Sequence, residues 1–185
     1  QYEYSVDIEL ISFIRNIFKK SKVSILFDHN LQSFKVDLLV ISGGNDLKHF
    51  SKSQENDFKH KLSNFFLKKA IKEKKKVVGI CYGAQFIADF YKSKLKKTSK
   101  HVGSHKIKFL PNNLGLGLKK NIVTNSFHEY LIHKLSNKLK PLAKASDGSI
   151  EAFQVKNGKI LGIMWHPERN NKIKTFDKAL FSKFR

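Results

Sequence analysis

Cysteine is almost absent: the 185 residues hold one, Cys81. A lone thiol cannot close an internal disulfide, so a reducing compartment, the cytoplasm, is expected. Long apolar runs are missing as well. The longest, such as residues 36–42, are strand-sized and fall far short of the roughly 20 residues that cross a bilayer. The opening Gln1-Tyr2-Glu3-Tyr4 has no basic stretch followed by an apolar one, and no secretory leader is expected. Arginine is scarce, confined to Arg15, Arg169 and Arg185 among 36 basic residues. Specific reading of bases and phosphates favours the arginine fork, and the lysines are scattered rather than striped. The net charge of +21 is therefore read as a lysine-rich surface, in a composition also rich in Ile, Asn and Phe, with no specific nucleic-acid partner and no membrane. With only 15 acidic residues the field is positive, which favours an anionic small-molecule substrate.

What is present suffices for a core. Hydrophobic residues make up 41% and aromatics 12%, more than a disordered chain carries. The first half alternates helix and strand patterns. Residues 7–20 form a helix with Ile8, Ile11, Ile14 and Phe18 on its apolar face. Residues 23–27 read as a short strand, and 36–41 as a strand buried on both faces of a parallel sheet. Ser53 caps a helix running to about Lys75, with Phe58, Leu62, Phe65 and Phe66 inward. Residues 77–80 are the next strand and 84–94 the next helix. Beyond about residue 98 short alternating segments follow at 106–110, 121–124, 142–146, 150–155 and 160–165, and a last helix spans 175–184. No repeat, linker or boundary is legible. The expectation is a single α/β domain over 1–185, with a mixed, mostly parallel central sheet flanked by helices.

The chemistry concentrates in two stretches. Val77-Val78-Gly79-Ile80-Cys81-Tyr82-Gly83-Ala84-Gln85 is a buried strand, then G-x-C-x-G, then a helix. That is a nucleophile elbow with cysteine at its apex. Side chains at 79 and 83 would collide with neighbouring backbone in the tight turn, and the positive end of the following helix favours thiolate over thiol. Near the end stands Trp165-His166-Pro167-Glu168. Pro167 biases His166 toward extended backbone, where residues i and i+2 point the same way. Glu168 then lies beside the imidazole to orient it. The loop Gly43-Gly44 ends a neighbouring strand, so the Gly44 and Tyr82 backbone N–H groups are the natural oxyanion donors. No cofactor is called for, and no metal: the eight histidines are dispersed along the chain.

These residues resemble the class I glutamine amidotransferase superfamily, which includes the γ-glutamyl hydrolases. Ser42-Gly43-Gly44, Gly79 to Gln85 and His166-Pro167-Glu168 match its three marks in order. The resemblance implies a flavodoxin-like amidotransferase fold, a Cys81–His166–Glu168 triad and an oxyanion hole at Gly44 and Tyr82. It further implies substrate contacts from Gly43 and Gln85, and from Ser126, Phe127 and His128 in a substrate strand. Trp165 and the run from Ala145 to Ala152 resemble the free-standing γ-glutamyl hydrolase branch. His101 to His105 and Gly162 to Arg169 look closest to members from surface-polysaccharide pathways. The implied reaction is hydrolysis of a γ-glutamyl amide. The competing readings are a glutaminase subunit that feeds ammonia to a separate synthetase, and a non-catalytic basic binding module. The resemblance also implies a strand ahead of the first helix, which the residues from Gln1 do not supply.

Overall fold

A computed structural model describes residues 7–27, 35–44, 46–99, 101–111, 121–156 and 158–184. All described strands join one sheet. Its order is β1 (Leu38–Ile41), β2 (Lys76–Ile80), β9 (Ile160–Ile163), β8 (Ile150–Val155), β7 (Leu139–Ala145), β4 (Val102–Phe109) and β5 (Asn121–Phe127). To one side β6 (Tyr130–Lys134) pairs with β8 and with β3 (Lys94–Lys97). The parallel pairing expected of the doubly buried strands holds for β1–β2–β9, and every other pairing among the described strands is antiparallel. Successive residues of β2 serve opposite faces: Val77 packs with α2 (Gln54–Lys72) and α3 (Tyr82–Phe90). Val78 packs with α1 (Ile8–Ile17) and α4 (Thr175–Ser182). Helices therefore cover both faces, and strands with no polar face follow from that.

Local chemistry explains most boundaries. Asp7 caps α1 by accepting from the Glu9 N–H, and Ser53 caps α2 by accepting from Asn56. Helix α3 begins at Tyr82, earlier than the residue 84 expected, because Cys81 itself is the capping position. It ends at Phe90, and Lys94, expected inside it, opens β3.

Some expectations are corrected. Residues 23–27 pair with no strand. They run along a cleft with Ile25 and Phe27 exposed, Phe27 by 62%. Helix α1 buries Leu10, Phe13, Ile14 and Ile17 instead of Ile8, which is 71% exposed. Both sets follow helical spacing in a segment apolar nearly all round. The edge-on contact of Phe13 with Phe181 of α4, at 5.0 Å between centroids, decides between them. In α2, Phe65 is exposed while Phe66, Leu67 and Ala70 take the core. Strands β3 and β6 are additions to the expected elements, and β4 starts at Val102 rather than 106. The opening strand that the resemblance implies would fall on residues outside the described ones. No helix among the described residues is long and apolar enough to cross a membrane.

Candidate active site

Strand β2 ends at Ile80, and Cys81 takes φ 50°, ψ −105° before α3 begins. A non-glycine residue with positive φ is strained and persists only where its surroundings hold it. Two backbone bonds do so: the Cys81 N–H donates to Ile163 O at 2.8 Å and Cys81 O accepts from Gln85 N–H at 2.9 Å. The flanking glycines serve close packing. A Cβ on Gly83 would lie 2.0 Å from Ile41 O, and one on Gly79 would lie 2.5 Å from the Gly83 carbonyl carbon. The thiol-bearing residue is buried.

The same parallel ladder delivers the imidazole. Strand β9 pairs with β2 through Ile80 and Ile163, so the chain leaving β9 reaches His166 beside Cys81. His166 is extended, at φ −105°, ψ 90°, as the following proline favours. Its Nδ1 lies 2.6 Å from Glu168 Oε1, with both side chains buried. Burial alone would lower the His166 pKa. Hydrogen bonds with Cys81 and Glu168 and their negative charges outweigh that and raise it to about 9. Gly43 is the floor of the ring, since a Cβ there would come within 2.6 Å of His166 Cε1.

Two residues that the sequence reading does not single out complete the surroundings. Asn125 in β5 clamps the His166 backbone, accepting from its N–H at 2.8 Å and donating to its carbonyl at 2.7 Å. The V-T-N-S-F-H run points to this strand but not to that residue. Lys59 in α2 donates to Gly43 O and lies 4.5 Å from the Tyr82 ring centroid. Burial lowers its pKa to about 8, against the opposing charge of Cys81. Nothing in the sequence distinguishes it from the other lysines.

The remaining expected residues divide. The Phe127 ring faces His166 at 6.1 Å and carries the Arg169 guanidinium at 5.3 Å. Ser126 and His128 point to the opposite face of the strand, as alternation requires: the Ser126 hydroxyl donates to His101 O at 2.8 Å and His128 is buried near Glu151. Gln85 is buried and its Nε2 donates to Tyr130 O at 3.0 Å, tying α3 to β6. The Tyr82 phenol is buried, its pKa pushed up to about 12 mainly by burial. Gly44 has φ 152° and lines a cavity of about 1050 Å³ that also touches Gly43, His166, Glu168, Arg169 and two α2 lysines, Lys59 and Lys61. Three of the histidines, dispersed in sequence, are not dispersed in space: His101, His105 and His128 converge on Glu151.

An elbow cysteine with a buried His–Glu pair at the ends of parallel strands defines a class. Residues 26–168 match the peptidase C26 family, and the chain belongs to it. That makes it an enzyme of hydrolase or glutamine amidotransferase type. It is 33% identical over 162 residues to the gamma-glutamyl-CDP-amidate hydrolase of Campylobacter jejuni, covering 86% of this chain and 77% of that protein. It is 31% identical to a GMP synthase of Bacteroides thetaiotaomicron, over 64% of this chain but only 23% of that one. The fold is that of a Thermoplasma acidophilum protein described as a GMP synthase component (TM-score 0.64, 24% identity, 81% of this chain and 71% of that chain).

Proposed function

We propose that the chain hydrolyses a γ-glutamyl amide through a glutamyl thioester, with Cys81 as nucleophile, His166 as acid and base, and Glu168 as orienting group. The observation that carries this reading is the buried 2.6 Å His166–Glu168 contact beside a cysteine held at positive φ. With its pKa raised to about 9, His166 is an imidazolium at neutral pH and pairs with the thiolate. The Cys81 sulfur attacks the γ-carbonyl carbon, and the Gly44 and Tyr82 N–H groups receive the oxyanion. His166 gives its proton to the departing nitrogen as the C–N bond breaks. It then takes a proton from water, whose oxygen attacks the thioester, and glutamate leaves as the thiolate is restored. Lys59 holds the Gly43 carbonyl and so positions the Gly44 N–H.

Glu168→Gln should cost less than His166→Ala, because an orienting group contributes less than the base it orients. Its alkaline limb in kcat/KM should also move below the value of about 9 in the parent enzyme, since a charge that favours the imidazolium is gone. Equal small losses in both variants, with an unmoved limb, would make the segment merely structural.

The substrate we infer carries an anionic group beyond the amide, and γ-glutamyl-CDP-amidate fits. The likeness to the Campylobacter jejuni hydrolase supports it, as do the cations at the cavity: Lys48, Lys52, Lys59, Lys61 and Arg169. Asp57 pairs with Lys61 at 2.6 Å and Lys48 at 3.7 Å, so part of that charge is already matched. Steering by the remainder has a signature. Between about 0.1 M and 1 M salt the Debye length shrinks from roughly 10 Å to 3 Å. The kcat/KM for γ-glutamyl-CDP-amidate should fall over that range while kcat holds, and glutamine should be poorer and nearly salt-indifferent. If glutamine were the better substrate, alone or with an added synthetase, the ammonia-supplying reading suggested by the GMP synthase relative would replace this one.

A further inference from the structure

On the face of β5 turned away from His166, three imidazoles meet a carboxylate. His101 precedes β4, His105 lies in it, His128 follows β5 and Glu151 stands in β8. Glu151 Oε1 is 3.2 Å from His101 Nδ1 and 3.8 Å from His128 Nε2, while Oε2 is 3.3 Å from His105 Nε2. All five atoms are buried and without a hydrogen-bond partner among the described residues.

The other ring nitrogens say what the site awaits. His128 Nδ1 donates to Tyr130 O at 3.0 Å; a carbonyl only accepts, so in the neutral ring Nε2 presents a lone pair. His101 Nε2 lies 3.0 Å from Asp147 Oδ2; in the neutral ring with its proton on Nε2, the Nδ1 lone pair faces Glu151. Asp147 is itself fixed, its Oδ1 accepting from the Ser149 hydroxyl at 2.6 Å and the Ser149 N–H at 3.0 Å. Lone pairs that face a carboxylate need a cation between them. An imidazole with its far N–H on a carboxylate or a backbone carbonyl is the arrangement of metal-bound histidine. The spacing agrees: two ligands each about 2.0–2.1 Å from a tetrahedral zinc stand about 3.3 Å apart.

We propose that His101, His105 and Glu151 bind a divalent transition-metal ion, zinc by the donor set, with His128 Nε2 at its flank. The donor atoms of the three ligands lie within 4.8 Å of one another. Imidazole with carboxylate suits zinc, and His105, only partly buried, opens a way in. The ion takes no part in the thioester chemistry. It joins β8 to the start of β4, where His101 O accepts from the His128 N–H at 3.1 Å and from Ser126. It thus braces from behind the strand that clamps His166.

The test is metal analysis of untagged protein dialysed after exposure to Zn2+. About one zinc per chain is expected, retained in Cys81→Ser and lost in Glu151→Gln. Asp147→Asn, which alters no ligand and so guards against misfolding of the Glu151 variant, should bind zinc about 10–100-fold more weakly in competition with a chromogenic chelator. His105→Gln should weaken it at least as much. A chelator should lower the melting temperature of the parent protein and leave that of Glu151→Gln unmoved. Zinc that departs with Cys81→Ser would assign the ion to the thiol and overturn the proposal. So would affinity unchanged in both Asp147→Asn and His105→Gln. A zinc-free chain whose melting ignores both zinc and chelator would show that protonated imidazoles balance Glu151 instead.

Discussion

Cys81→Ser should reduce turnover below about a hundredth of the parent rate, with the fold retained. The substitution is almost isosteric, and both backbone bonds that hold the elbow, to Ile163 O and from Gln85 N–H, survive it. What disappears is an ionisable group at the end of α3. A second readout follows at His166. Its pKa stands at about 9 because the Cys81 and Glu168 interactions outweigh burial, so it should fall once the sulfur is gone. The sign is definite: a folded pKa above the unfolded 6.5 stabilises the protein below about pH 6.5, and that stabilisation is lost as pH rises through 9. The parent's stability advantage over the serine variant should therefore shrink between those limits. Retained turnover with an unmoved imidazole would remove Cys81 from the chemistry.

Gly83→Ala should be the most damaging small change in the chain. Its methyl group would sit 2.0 Å from Ile41 O and 2.8 Å from the Ile41 carbonyl carbon. Both are backbone atoms of β1, with no flexible end to swing aside, so α3 must lift from the strand. Overpacking of this kind costs about 3 kcal/mol, or about 6–12 °C in melting temperature for a chain of this size. Activity should vanish along with stability, because Cys81 caps the displaced helix. A variant that melts with the parent and turns over would show that the helix does not need this close approach.

Features whose cause is local could be read from the sequence. The elbow announces itself through Gly79 and Gly83, which meet backbone and admit no substitute. The extended backbone of His166 is written in Pro167, and the doubly buried strands in nearly unbroken apolar runs. What could not be read depends on contacts between distant segments. Strand β3 is Lys-Leu-Lys-Lys, and only its pairing with β6, Leu95 opposite Ile132 among the four pairs, makes it a strand. Residues 23–27 have the right composition but no neighbouring ladder. Helix α1 had two equally good apolar faces, and α4 chose. The same holds for the site: Lys59 and Asn125 act through carbonyls and amides of residues far along the chain. The histidines look scattered until β4, β5 and β8 are laid side by side.

The position of β9 sets when activity can begin. This strand is late in the sequence yet lies in the interior of the sheet, between β2 and β8. As the chain emerges from a ribosome, β1 and β2 can pair and β4 and β5 can close their hairpin long before Ile160 appears. Until it does, β2 and β8 present open edges, and the acceptor for the Cys81 N–H, Ile163 O, does not yet exist. The thiol of a nascent or truncated chain thus lacks both its strained geometry and its imidazole. Pairing of β9 with β2 joins segments far apart in the chain and is therefore slow, so it would serve as the step that arms the enzyme. Premature termination anywhere before residue 166 should yield chains that are inert toward amides and prone to pair edge to edge.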